Sequence, residues 1–197
     1  MKKRLIGLTG GIATGKSTVS KYLAEKYQLP ILDADIYARD AVAVDSPILK
    51  QISQRYDNIL LADNSLNRQK LGEIVFKNHN ERVWIESLIH PYVREKFNQE
   101  ITKFTCETLI LVIPLLFEVG LTNLVTETWV VSCSEAQQLA RLMQRNNLTL
   151  EQAQARIQSQ MPLSEKIKLA DVVLDNSRSL EMLLKSVDAA INQAKVI

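Results

Sequence analysis

The chain has 197 residues, 46% hydrophobic and 23% charged, a size and mix that suit one soluble core of ordinary dimensions, with small excursions from it. Its net charge of +2 is too slight to support nucleic-acid or membrane binding through bulk electrostatics, so any anion must meet a local arrangement of positive groups. Cys106 and Cys133 have neither metal-ligand spacing nor the number for a disulfide framework, and no apolar run of about 18 residues is present, so the expectation is a cytoplasmic protein without nucleic-acid or membrane partners; a monomer is favoured, with the oligomeric state left open by the sequence.

The N-terminus, MKKRLIGLTGG, begins like the basic region of a signal peptide, but glycines at 7, 10 and 11 break its apolar segment too soon. Arg4–Thr9 reads instead as a short buried strand. The segment that follows, Gly10-Gly11-Ile12-Ala13-Thr14-Gly15-Lys16-Ser17, fits the phosphate-loop pattern in full. Chance alone produces such a match on the order of once in a hundred chains of this length. Here the match also lies between a predicted strand and a predicted helix, as the chemistry requires. Glycine allows the backbone torsions that turn N–H groups inward around a phosphate. The following helix adds its N-terminal N–H groups, Thr18 included, and its positive dipole end. Lys16 can reach the β- and γ-phosphates, and the Ser17 hydroxyl can ligate Mg²⁺.

Val19, Tyr22, Leu23 and Tyr27 fall at helical spacing, and Pro30-Ile31-Leu32 gives a second strand that ends at Asp33-Ala34-Asp35. This strand–loop–helix–strand unit opens a parallel α/β sheet. In extended chain, residues two apart face one side, so both carboxylates can meet one ligand at the carboxyl end of the strand. A phosphoryl-transfer enzyme needs one carboxylate to orient the attacking hydroxyl and another to act on Mg²⁺ through water. The competing reading is that Asp33 or Asp35 simply caps the next helix.

From Ile36 to Lys103 the patterns are helical (48–56, 68–76, 81–101), which predicts an all-helical insertion between strands. Pro91 should bend or restart the last of these helices, and His90 before it reads as structural or exposed when taken alone. Sheet signals return at 108–113 and 128–132. Ser134-x-x-Gln137 and Thr149-x-x-Gln152 then have capping-box spacing for two helices, the second closed by Pro162. Arg141 and Arg145, four apart, share one face of the first. They could close over ATP and stabilise transferred charge, with Arg156 as a further candidate, or they could be a solvated helix face. A last strand at 172–174 and a helix from Leu180 to Ala194 complete the chain. Trp84 and Trp129 read as packing residues. There is no Asn-Lys-x-Asp to read guanine and no plain apolar strand ending in an acid, which favours an adenine nucleotide and a small kinase over a GTPase switch or motor.

GLTGGIATGKSTVS followed by ILDADIYARD, with LIHPYVRE (88–95), VIPLLFE (112–118), RLMQRN (141–146) and ADVVLDN (170–176), resembles the dephospho-coenzyme A kinases over nearly the whole chain. One departure is Ala13-Thr14 where that family often has Gly-Ser. The resemblance implies a P-loop three-layer α/β fold with a parallel sheet of about five strands. The core would be 1–35, 104–133 and 170–197, with a helical coenzyme-binding subdomain at 36–103 and a lid at 134–169. It implies ATP- and Mg²⁺-dependent phosphorylation of the ribose 3′-hydroxyl of dephospho-CoA. Asp35 would be the catalytic base, with Lys16 and Arg141 also catalytic, and Asp33 would act with Ser17 on the metal. Thr9, Asp33, Arg39, His90 and Glu118 would serve the acceptor, although Glu118 reads equally as a cap for local backbone. Arg145 and Asn176 would join the loop in binding ATP, although Asn176 reads equally as a turn residue beside Ser177. On the residues alone, another small-acceptor kinase or a non-catalytic nucleotide switch stays open.

Overall fold

The computed structural model describes residues 3–193; Met1 and Lys2 of the basic N-terminus, and Ala194 at the expected end of the last helix, lie outside the described residues. In chain order the elements are β1 (Arg4–Gly10), α1 (Lys16–Tyr27), β2 (Ile31–Asp33), α2 (Ala34–Asp40), α3 (Pro47–Arg55), α4 (Arg68–Lys77) and α5 (His79–Lys103). These are followed by β3 (Thr108–Val112), β4 (Glu127–Ser132), α6 (Glu135–Asn146), α7 (Leu150–Gln158), α8 (Leu163–Lys168), β5 (Val172–Asp175) and α9 (Leu180–Asn192). The chain divides into two compact units, residues up to Leu32 together with those from Thr105 onward, and Asp33–Phe104.

In the first unit the strands order as β2-β3-β1-β4-β5, and the β1–β3, β1–β4 and β4–β5 pairs are parallel. The apolar runs of β1, β3 and β4 are continuous rather than alternating because these central strands are covered on both faces. Ile6, Leu8, Ile110, Trp129 and Val131 pack with Val19 and Leu23 of α1 and with Leu183 and Val187 of α9. Arg4 closes the last turn of α9 by donating to the Ala190 and Ile191 carbonyls, and it pairs with buried Glu127 at the start of β4. Both expected capping boxes form at the N-termini of α6 and α7. Pro162 does more than close α7, since it also opens α8, a six-residue helix too short to show a period in the sequence.

The second unit is helical apart from one antiparallel bridge, Leu60 to Leu66. Its core joins Val42, Leu49, Ile52, Ile59, Leu66, Leu71 and Ile85. The proline in α5 neither ends nor restarts the helix, contrary to expectation: His79–Lys103 is a single element of 25 residues. Pro91 is exposed, while Ile85 on one side and Val93 and Phe97 on the other are buried, so packing on both flanks offsets the lost helical hydrogen bond.

Arg55 forks onto Glu81 with two bonds of 2.8 and 2.9 Å, lies 4.4 Å from the Trp84 ring, and shares Glu81 with the Tyr56 hydroxyl. The guanidinium, then the phenol, hold the Glu81 carboxyl down to about 2. A carboxyl lowered on folding stabilises above its unfolded value, about 4.3, and that contribution is lost as pH falls toward the folded value. The denaturation midpoint of this unit should therefore drop between pH 4.3 and about 2, and Glu81→Gln should flatten that slope. A parallel decline in the variant would contradict the assignment.

Candidate active site

The loop between β1 and α1 is shaped by close packing as well as by torsion. Gly10 has φ +146°, and a Cβ there would stand 2.3 Å from the Val131 carbonyl oxygen of β4. Gly15 has φ +107°, and its Cβ would stand 2.3 Å from Asn176 Nδ2. Ala13 holds φ 60°, a left-handed geometry that alanine tolerates at a cost of about 1 kcal/mol.

Gly15 is the N-cap of α1 and supplies no side chain to the first turn, which carries no acidic residue. The N–H groups and the dipole end there are thus presented to an anion rather than satisfied by a carboxylate. Lys16 Nζ donates to the Gly10 and Gly11 carbonyls at 3.0 and 2.8 Å, folded onto the loop that it serves. Ser17 and Thr18 are exposed in the same turn.

Arg141 of α6 donates from Nη2 to the Asn176 carbonyl at 3.1 Å, while its Nη1 is buried without a hydrogen-bond partner. A buried guanidinium nitrogen left unsatisfied is costly, and an anionic oxygen is the ligand that repays it. Asn176 in turn donates from Nδ2 to the Thr14 carbonyl at 2.8 Å, so its amide holds the loop itself. Arg145 is exposed and bonds to its neighbour Asn146, and Arg156 is exposed at the end of α7. Of the three arginines, Arg141 is tied to the loop by hydrogen bonds, by way of Asn176.

Thr9 is fully buried and donates to the Pro114 carbonyl at 3.1 Å. That carbonyl also accepts from Lys166, a fully buried lysine that pairs with Glu118 at 2.7 Å. Glu118 Oε1 further accepts the Met161 N–H at 3.1 Å, so its carboxylate serves as a tie between the turn after β3 and the approach to α8. No sequence signal marked Lys166, because one lysine among the charged residues of a short helix looks like a solvated one. Lys166→Met should lower stability by about 1–3 kcal/mol, since it removes the cation paired with Glu118 and the donor to the Pro114 carbonyl. A urea midpoint unchanged from the parent would contradict this role.

In the second unit, the chain turns at Asp33 before two extended residues can place both carboxylates on one side. Asp33 caps α2, its Oδ1 accepting the Asp35 N–H at 2.8 Å, and Asp35 already lies in the first helical turn. The capping reading thus holds for Asp33, and the cap rather than strand geometry brings the two acids together. Burial foremost pushes the Asp33 carboxyl above its usual value; the Asp35 N–H bond opposes this and the like charge of Asp35 adds to it.

A cavity of about 370 Å³ in this unit is lined by Asp35, Arg39, Arg68, Val42, Leu71 and Ile89 among others, a mostly apolar wall with two guanidiniums and one carboxylate. Arg39 is exposed there, whereas half-buried His90, next to Ile89 on α5, is not part of that lining. Arg68 was missed in the sequence. The available signal was its place as the first residue of α4, where the helix dipole disfavours a cation unless an anion is to be met.

A parallel sheet whose central strand runs into a phosphate loop, with a half-buried arginine tied to that loop, defines a P-loop kinase fold. The family model for dephospho-CoA kinase matches residues 4–181. A relative from Trichormus variabilis named dephospho-CoA kinase is 67% identical over 193 residues, 98% of each chain. The crystal structure of TT1252 from Thermus thermophilus superposes with a TM-score of 0.85 at 31% identity, covering 97% of both chains. A dephospho-CoA kinase from Campylobacter jejuni gives 0.72 at 31% identity over 96% of both. The chain belongs to the dephospho-CoA kinase family.

Proposed function

We propose that the chain transfers the γ-phosphoryl group of ATP to the ribose 3′-hydroxyl of dephospho-CoA, in the cytoplasm. Family membership supports the acceptor, and one structural observation carries the transfer: Arg141 Nη1 is a buried donor without an acceptor, and the arginine is tied to the phosphate loop through Asn176.

The loop N–H groups and the uncapped start of α1 bind the phosphates of ATP, and Lys16 leaves the carbonyls of Gly10 and Gly11 to meet the β- and γ-oxygens. Arg141 stabilises charge on the group in transfer. Asp35 accepts the proton of the attacking hydroxyl, and Asp33 holds the start of α2 so that Asp35 keeps its place. Arg39 and Arg68 meet the anionic parts of the acceptor, whose apolar parts lie along Val42, Leu71 and Ile89.

Among the described residues there is no cluster of three or more metal-ligating side chains. Mg²⁺ keeps several waters and takes phosphate oxygens with few protein groups. The Ser17 hydroxyl would ligate it and Asp33 would act through water; when bound, the ion neutralises charge on the β- and γ-phosphates. Among the described residues no helix is long and apolar enough to cross a membrane.

An acceptor panel tests the reading. Turnover with dephospho-CoA should exceed turnover with any nucleoside or nucleoside monophosphate. Transfer to a nucleoside with none to dephospho-CoA would overturn it, and ATP binding without transfer to any acceptor would favour a switch.

A further inference from the structure

The phosphate loop is gripped from outside by two glutamines that the kinase reading leaves without a role. Gln138 lies in the first half of α6 and is 3% exposed; its Nε2 donates to the Ile12 carbonyl at 2.8 Å. Gln160, in the link between α7 and α8, accepts the Ile12 N–H on Oε1 at 3.2 Å. Both backbone polar groups of one loop residue are therefore satisfied by side chains 126 and 148 positions further along the chain. The fit is close: a Cβ on Gly11 would stand 2.5 Å from Gln138 Nε2, so any larger residue there would displace the amide from its place.

Arg141 stands three residues after Gln138, on the same face of α6. Two routes of hydrogen bonds therefore run from this helix into the loop. One goes from Gln138 to Ile12, and the other from Arg141 through Asn176 to Thr14. The second route depends on a single bond of the Arg141 guanidinium, whose other terminal nitrogen lacks a partner. Any slide or rotation of α6 must break the first.

We infer that Gln138, assisted by Gln160, is a positioning residue for phosphoryl transfer: by clamping Ile12 it fixes the register of α6 and so holds Arg141 against the loop. This rests on the kinase reading. A purely structural role would lower stability or weaken ATP binding, without regard to the residue at 141. A positioning role acts through Arg141 and vanishes when Arg141 is gone.

Gln138→Met keeps the length and helix propensity of the side chain and removes its donor. In the parent background it should lower kcat with dephospho-CoA and ATP by about 10- to 100-fold, as expected for a misplaced catalytic group, with the KM for ATP changed by less than about 3-fold. In an Arg141→Ala background the same change should cost less than about 2-fold. Equal losses in both backgrounds, or a raised KM for ATP with unchanged kcat, would overturn the inference. Gln160→Met, outside any helix, carries the same expectation and decides the matter if Gln138→Met fails to fold by circular dichroism. Failure of the kinase reading shows separately, as absence of transfer to dephospho-CoA by the parent protein.

Discussion

Asp35→Asn should lower kcat for transfer to dephospho-CoA by about 10²- to 10⁴-fold with little change in either KM, the signature of a proton acceptor lost from the transition state. The substitution is nearly isosteric, and Asp35 has no capping duty, since Asp33 performs it. Folding should therefore be unaffected, which makes the kinetic result direct to interpret. Asp33→Asn is the natural control, because asparagine caps helices as well as aspartate does. It should retain α2 and spare more activity. Retained kcat in Asp35→Asn, measured on purified protein at saturating ATP, would contradict the base assignment.

Arg141→Ala should cost about 10²- to 10³-fold in kcat, the scale seen when a preorganised donor to developing charge is removed. Its effect should exceed those of Arg145→Ala and Arg156→Ala, both exposed, the former bonded to a neighbouring side chain and the latter at the end of a helix. Arg141→Lys should rescue little. A lysine lacks the fork that lets one nitrogen bond Asn176 while the other stays available to phosphate. Comparable losses for all three arginines would show that proximity to the loop is not what distinguishes Arg141.

Much of this is legible in the sequence. The phosphate loop could be read because its residues are contiguous and each type has one physical reason to be there. The five strands could be read because buried parallel strands are short apolar runs bounded by turns, and both capping boxes because their hydroxyl and amide partners are three apart. The geometry of Asp33-Ala34-Asp35 was misjudged, because a side-chain cap turned the chain one residue earlier than extended spacing assumes. Lys166, Gln138 and Gln160 escaped notice for one shared reason. Each acquires its meaning from a partner far away in sequence, Glu118 for the lysine and Ile12 for both glutamines. Local pattern carries no record of such pairings. Glu118 shows the converse: its motif was visible, but its tie to Lys166 and Met161 was not.

The most direct test of the central claim is to incubate the purified protein with ATP, Mg²⁺ and dephospho-CoA and to follow the products by phosphorus NMR. The expected result is one ADP formed per acceptor consumed, with a new phosphomonoester on the ribose 3′-oxygen. ADP released as inorganic phosphate accumulates, or a phosphate delivered to any other position, would contradict it.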